Sequence, residues 1–113
     1  MARDLSFWKE NKNTNNSCSE TYKNLSNEVY LDYVSELPIE QILNDVNTTF
    51  SDWTKLDEKN YEKGDAAIEI FTTKQFCRFD CYSVTEEDMN KIMDIMFKYD
   101  CPLYDSAIDV RFA

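Results

Sequence analysis

Carboxylates are the side chains with which this chain could most readily do chemistry, because it carries 22 of them and no histidine. Paired carboxylates can act as general acid and base, and clusters of them can bind Ca²⁺ or Mg²⁺. The run at 86–88 directly follows Thr85, a good helix N-cap, so complementarity to a helix dipole explains it better than a metal site. The acidic residues of the stretch 55–65 lack the spacing of a calcium loop. We therefore predict no metal ion and no cofactor.

The remaining catalytic residue types are missing or badly spaced. Without histidine the chain has no Ser-His or Cys-His pair, and its single glycine, Gly64, excludes a glycine-rich phosphate loop. Of the four cysteines, Cys77 and Cys81 are four residues apart, which is the wrong spacing for a zinc or redox motif and too far along one strand for a disulfide. We expect free thiols and a protein that is not an enzyme. An acid–base pair of carboxylates stays open as an alternative.

The formal charge of −10 limits the kinds of partner. Such a domain repels nucleic acid and anionic membranes, and it attracts basic proteins. Acidity that serves solubility alone is the competing interpretation. No apolar stretch approaches the length of a membrane span, and the first twelve residues show no secretory signal, so we expect a cytoplasmic protein.

Hydrophobic periodicity predicts six elements that would position these side chains. In chain order they are a strand at 28–34, a helix at 38–53, strands at 66–72 and 75–82, a helix that begins after Thr85 and has its apolar stripe running to Phe97, and a strand at 107–112. The segments 11–27 and 55–65 are polar and are predicted as loops.

This order predicts an α+β fold of the ferredoxin-like βαββαβ type, an antiparallel sheet with two helices on one face. The predicted domain spans residues 28–113. Residues 1–27 are expected to form an N-terminal extension and polar loop, in which Phe7 and Trp8 pack onto the body of the domain.

The sheet face opposite the two helices is the predicted partner-binding surface, because it mixes aromatic side chains with carboxylates. Its candidate residues are Tyr30, Asp32, Glu69, Phe71, Phe76, Arg78, Asp80, Tyr82, Asp109 and Arg111. Two alternatives stand beside this interpretation. The N-terminal segment could cover the face, or the two arginines could simply pair with Asp80 and Asp109 across strands.

Three stretches carry a resemblance to a known class of proteins. They are 3–9 (RDLSFWK), 36–40 with 50–53 (ELPIE and FSDW), and 78–82 through 101–105 (RFDCY and CPLYD). They resemble small acidic bacterial immunity proteins, which are encoded beside polymorphic or contact-dependent inhibition toxins. The resemblance implies a cytosolic protein that binds a cognate toxin domain, often a basic nuclease, and blocks its active site or its path to substrate. It assigns no binding residue.

The sequence therefore favours an immunity or inhibitor protein that binds a basic toxin through charge complementarity. An acidic nucleic-acid mimic or antitoxin of the phage type is the second hypothesis. A small regulatory or ligand-binding module is the third.

Overall fold

The computed structural model describes residues 2–11 and 16–112, and these residues form three helices and seven strands. The helices are α1 (Cys18–Ser26), α2 (Ile39–Thr49) and α3 (Glu86–Lys98). The strands are β1 (Ala2–Phe7), β2 (Thr54–Asp57), β3 (Asn60–Lys63), β4 (Ala66–Thr73), β5 (Phe76–Tyr82), β6 (Leu103–Asp105) and β7 (Val110–Phe112). All strands pair antiparallel in one open sheet of order β2-β3-β4-β5-β1-β6-β7. The predicted α+β class is confirmed.

One face of the sheet, the helix face, carries α2 and α3 and the larger hydrophobic core. Both helices turn a stripe of apolar side chains, spaced by three and four residues, onto alternate residues of the central strands. Thr85 caps α3 as predicted, since its side chain accepts a hydrogen bond from the Asp88 N–H. The fully buried members of this core include Leu5, Phe7, Ile42, Val46, Phe50, Ile68, Cys77, Phe79, Ile92 and Met96.

The second face of the sheet is only partly covered, by α1 and the segment 28–35. A smaller core lies between them and the sheet, built on Trp8, Phe76 and Tyr104 with Leu25 of α1 and Val34. The coverage reaches the end of β5 that contains Phe76 and the end of β1 that Trp8 follows. The opposite ends of these strands lie beyond it.

The ferredoxin-like topology is not observed, because residues 28–34 form no strand. Glu28 has a left-handed backbone (φ 61°), and residues 32–33 form a turn. The buried Gln75 side chain binds the backbone of Leu31 and Val34 with three hydrogen bonds of 2.7–2.9 Å. Tertiary hydrogen bonds thus override the β propensity of this stretch.

The segment 1–27, predicted as an extension and loop, contributes two elements to the fold in its described part. Strand β1 lies between β5 and β6 in the middle of the sheet. Its alternation sends Phe7 to the helix face and Trp8 to the second face. Residues 18–26 form α1 instead of a loop, because Ser17 caps the helix and Leu25 anchors it in the smaller core.

Two further boundaries differ from the prediction. Most of the stretch 55–65 forms the β2–β3 hairpin, in which Tyr61 is buried and Gly64 supplies the positive φ of the following turn. The last predicted strand, 107–112, is shortened to β7 by a turn at 106–109. In the described part of the chain, no helix is long and apolar enough to cross a membrane.

Candidate acidic docking surface

The uncovered half of the second face carries polar side chains from four neighbouring strands, some of them exposed and others partly buried. We call this half the open face and define it by Asp4, Glu62, Glu69, Asp80 and Tyr82. The registers place Glu62 opposite Ala67, Ala67 opposite Tyr82, and Glu69 opposite Asp80. Directly opposed residues point to the same side of an antiparallel sheet, so all five side chains share this face.

Three carboxylates of the open face lie in one line across adjacent strands. Glu69 of β4 is opposite Asp80 of β5, and Asp80 is opposite Asp4 of β1. Adjacent strands are only about 4.8 Å apart, so these like charges oppose one another directly. Such an arrangement destabilises a sheet. We call these three residues the acidic row.

The surroundings of Asp80, the central member of the row, raise the pKa of its carboxyl group. Burial raises its pKa, and the neighbouring Asp4 raises it further, while Arg78 opposes the rise. The Arg78 Nε donates to Asp80 Oδ1 at 3.0 Å, and both side chains are only about one-fifth exposed (22% and 20%). The Asp80 charge is therefore held in place by Arg78 but not fully compensated.

Tyr82 gives the open face an aromatic side chain next to the carboxylates. It lies two residues beyond Asp80 on β5, and 40% of its surface is exposed. The negative charge of Glu69 is the main cause that raises the Tyr82 pKa, with smaller contributions from burial and Asp80. Tyrosine is one of the residue types enriched among those that carry most of the binding energy at protein interfaces.

The structure brings together only part of the predicted binding surface. Glu69, Asp80 and Tyr82 lie on the open face. At its border, Phe71 is half-buried beneath the Arg78 guanidinium. Phe76, predicted as a surface residue, is instead fully buried in the smaller core.

The remaining predicted residues lie elsewhere. Tyr30 and Asp32 belong to the 28–35 segment, where the Tyr30 hydroxyl donates to Glu36. Asp109 and Arg111 lie three strands from β5, at the β7 edge of the sheet. There Arg111 pairs with Glu10, and Asp109 accepts a hydrogen bond from the Tyr104 hydroxyl.

The alternatives raised by the sequence are resolved in part. The N-terminal segment does cover one half of the face, through α1 and together with the 28–35 segment. Trp8 lies on this face in the smaller core, while Phe7 points to the other face. Arg78 does pair with Asp80, along β5 and not across strands. Arg111 pairs with Glu10 and not with Asp109.

Sequence reasoning missed Asp4 and Glu62. Asp4 could have been found, because Asp4, Ser6 and Trp8 alternate with Leu5 and Phe7 as strand residues do. Glu62 lies in a stretch whose charges and turn residues indicated a loop.

The three buried cysteines are poor candidates for reactive groups. All four cysteines are free, and Cys77, Cys81 and Cys101 are buried. Burial raises the thiol pKa of Cys81 to about 12 and that of Cys101 to about 11, so both are protonated and poor nucleophiles at neutral pH. Among residues 2–11 and 16–112, no group of three or more acidic or cysteine side chains is arranged to hold a metal ion.

Comparison with known proteins found no family model that matches the chain, and no significant match among curated proteins or solved structures.

Proposed function

We propose that this protein is a non-catalytic inhibitor of the immunity type, which neutralises a basic toxin by docking its open face onto the toxin's cationic surface. One observation carries the proposal: Asp4, Asp80 and Glu69 oppose one another across three strands of the open face, with Glu69 exposed and the two aspartates partly buried. A cation from a partner would relieve the repulsion that the free protein bears.

The energetics of the acidic row favour a binding role over a structural one. Like charges in direct opposition destabilise the free fold, and proteins commonly retain such a local cost where function needs it. Arg78 neutralises only part of the row, through Asp80. A Lys or Arg that a nuclease toxin uses to bind phosphate would meet complementary charge here, and its substrate would be excluded.

The electrostatic field supports the same partner class. With a net charge of −10, the chain steers basic proteins towards itself and repels nucleic acid. Tyr82 supplies an aromatic contact beside the charges, so affinity need not depend on salt-sensitive pairs alone.

Capture from the native host followed by growth rescue tests this function. The chain is immobilised at low salt, the bound proteins are identified, and each is expressed alone and then together with the chain. The account expects a protein that arrests growth alone and is neutralised by co-expression. A partner that handles DNA without being toxic would support the nucleic-acid mimic instead.

Two matched variants tie the rescue to the open face. The row variant combines Asp4→Asn, Glu69→Gln and Asp80→Asn. The control variant removes three exposed carboxylates from other surfaces, through Glu40→Gln, Glu58→Gln and Asp94→Asn. Rescue should be lost in the row variant and kept in the control. Equal rescue by both would contradict the assignment of the open face.

A further inference from the structure

Arg78 shows within this fold how a guanidinium is held on the second face. Its carbon Cζ lies 4.9 Å from the centroid of the Phe71 ring, a stacking distance. Its Nε donates to Asp80 Oδ1 at 3.0 Å, and Nη1 reaches the Ser26 hydroxyl of α1 at 3.3 Å. The planar group thus uses an aromatic face and a carboxylate at the same time.

On the other side of Asp80 an aromatic ring and a carboxylate are again present, but no basic side chain accompanies them in the described part of the chain. Tyr82 supplies an aromatic ring on the same strand, and Glu69 supplies a carboxylate from the neighbouring strand. Between residues 2–11 and 16–112, no ion pair joins Glu69 or Asp4 to a basic side chain. The residue opposite Tyr82 on β4 is the small Ala67, and 40% of the Tyr82 surface is exposed.

We propose that the open face binds an arginine side chain of the partner protein, with the guanidinium stacked on Tyr82 and paired with Glu69 and the acidic row. This inference rests on the proposed function and specifies the chemistry of the partner. Arginine fits better than lysine, because its planar fork can bind a carboxylate while its flat face lies on an aromatic ring. A lysine ammonium would also pair with the carboxylates, but its contact with the Tyr82 ring would contribute less to binding.

Titration of the full chain with two short peptides tests this preference without the natural partner. The probes are acetyl-Gly-Arg-Gly-Arg-Gly-amide and its lysine counterpart, which carry equal charge. Binding is followed at low salt by amide chemical shifts in ¹⁵N-labelled protein. We expect the arginine peptide to bind about threefold more tightly or better, as exposed cation–π contacts allow. The largest shifts should lie at Glu69, Asp80 and Tyr82.

Matched tyrosine variants separate stacking from general charge attraction. Tyr82→Ala should abolish the preference for arginine, and Tyr82→Leu serves if the alanine variant is poorly folded. Tyr30→Ala is the control, because Tyr30 is also exposed and also neighbours a glutamate, Glu36, but lies away from the acidic row. Equal binding of the two peptides would overturn the inference. Shifts centred on other carboxylates, such as 86–88 at the start of α3, would overturn it as well.

The two proposals can fail separately. If a toxin is captured and neutralised but its interface arginines can be changed to lysine without loss of affinity, the arginine assignment is wrong and the inhibitor function stands. If the peptides behave as expected but no captured protein is toxic, the arginine site stands and the inhibitor function is wrong.

Discussion

At the scale of single residues, the opposed carboxylates of Asp4 and Asp80 affect the stability of the free protein. They oppose each other on β1 and β5, and Asp80 is mostly buried and paired with Arg78. The raised pKa of Asp80 means that the folded state binds its proton more tightly than the unfolded state does. Its contribution to stability is therefore greatest at low pH and is lost as the pH rises through the folded-state pKa.

Asp4→Asn should stabilise the free protein at neutral pH, by roughly 0.2–1 kcal/mol, because it removes a like charge opposite Asp80. The amide oxygen can still accept the hydrogen bond from the Tyr22 hydroxyl. The gain should shrink at acidic pH, because the raised pKa of Asp80 favours its neutral form there and removes the repulsion. Urea unfolding at several pH values measures it, with Glu58→Gln as the control. A loss of stability at neutral pH would contradict the repulsion described here.

Gln75 is the residue that explains the largest error of the sequence prediction. Its side-chain amide lies buried and gives or receives three hydrogen bonds with the backbone of Leu31 and Val34. These bonds hold the 28–35 segment over one half of the second face. A single glutamine at a strand end carries no signal of such a role, because its partners are more than 40 residues away in sequence.

Gln75→Met should destabilise the fold by about 2–4 kcal/mol, since it removes three hydrogen bonds and leaves the Leu31 N–H and the Val34 carbonyl without partners. Chemical denaturation measures the change. Gln41→Met, on the exposed surface of α2, is the matched control and should change stability little. A loss below about 0.5 kcal/mol for Gln75→Met would show that water replaces the amide, contrary to this account.

At the scale of elements, α3 and the β4–β5 hairpin were predictable because their signals are local. Thr85 precedes an apolar stripe with helical spacing, and alternating apolar residues mark the two strands. By contrast, α1 has a weak apolar stripe, and β2, β3 and β7 are short and polar or exposed. Their formation depends on pairing with neighbours in the sheet, which local patterns do not reveal.

Thr85→Ala should destabilise the protein by about 1 kcal/mol through loss of the α3 cap. The Thr85 hydroxyl accepts from the Asp88 N–H at 3.2 Å and donates to the Asp88 carboxylate at 3.1 Å. Ser17→Ala is a useful comparison, because the α1 cap has one longer bond of 3.4 Å to the Glu20 N–H. Thermal unfolding should show a larger loss of stability for Thr85→Ala than for Ser17→Ala. The reverse order would argue against a stabilising role for the two hydrogen bonds between Thr85 and Asp88.

At the scale of the whole molecule, the candidate site arises from sheet order, which the sequence did not predict. Alternation within β4 and β5 correctly placed Glu69, Asp80 and Tyr82 on one face. The acidic row also needs Asp4, and this residue reaches the site because β1 inserts beside β5. The predicted patch was too wide, since Phe76 is covered and Asp109 and Arg111 lie at the far edge.

The net charge predicts opposite responses of the free protein and the complex to salt. Raising the ionic strength screens the self-repulsion of a chain with charge −10, so the melting temperature of the free protein should increase. The same change should weaken binding to a basic partner and slow association. Calorimetry and binding kinetics over a sodium chloride series measure both. A complex that tightens with salt would indicate an apolar interface.

The most direct test of an inhibitory role for the open face compares stability and affinity in the same three proteins. Unfolding free energy and the dissociation constant for the captured partner are measured for the wild type, the row variant and the control variant. We predict that the row variant stays folded but binds at least tenfold more weakly, about 1.4 kcal/mol, and that the control keeps most of its affinity. Loss of affinity to the same extent in both variants would contradict the claim, because general charge and not the acidic row would then account for binding.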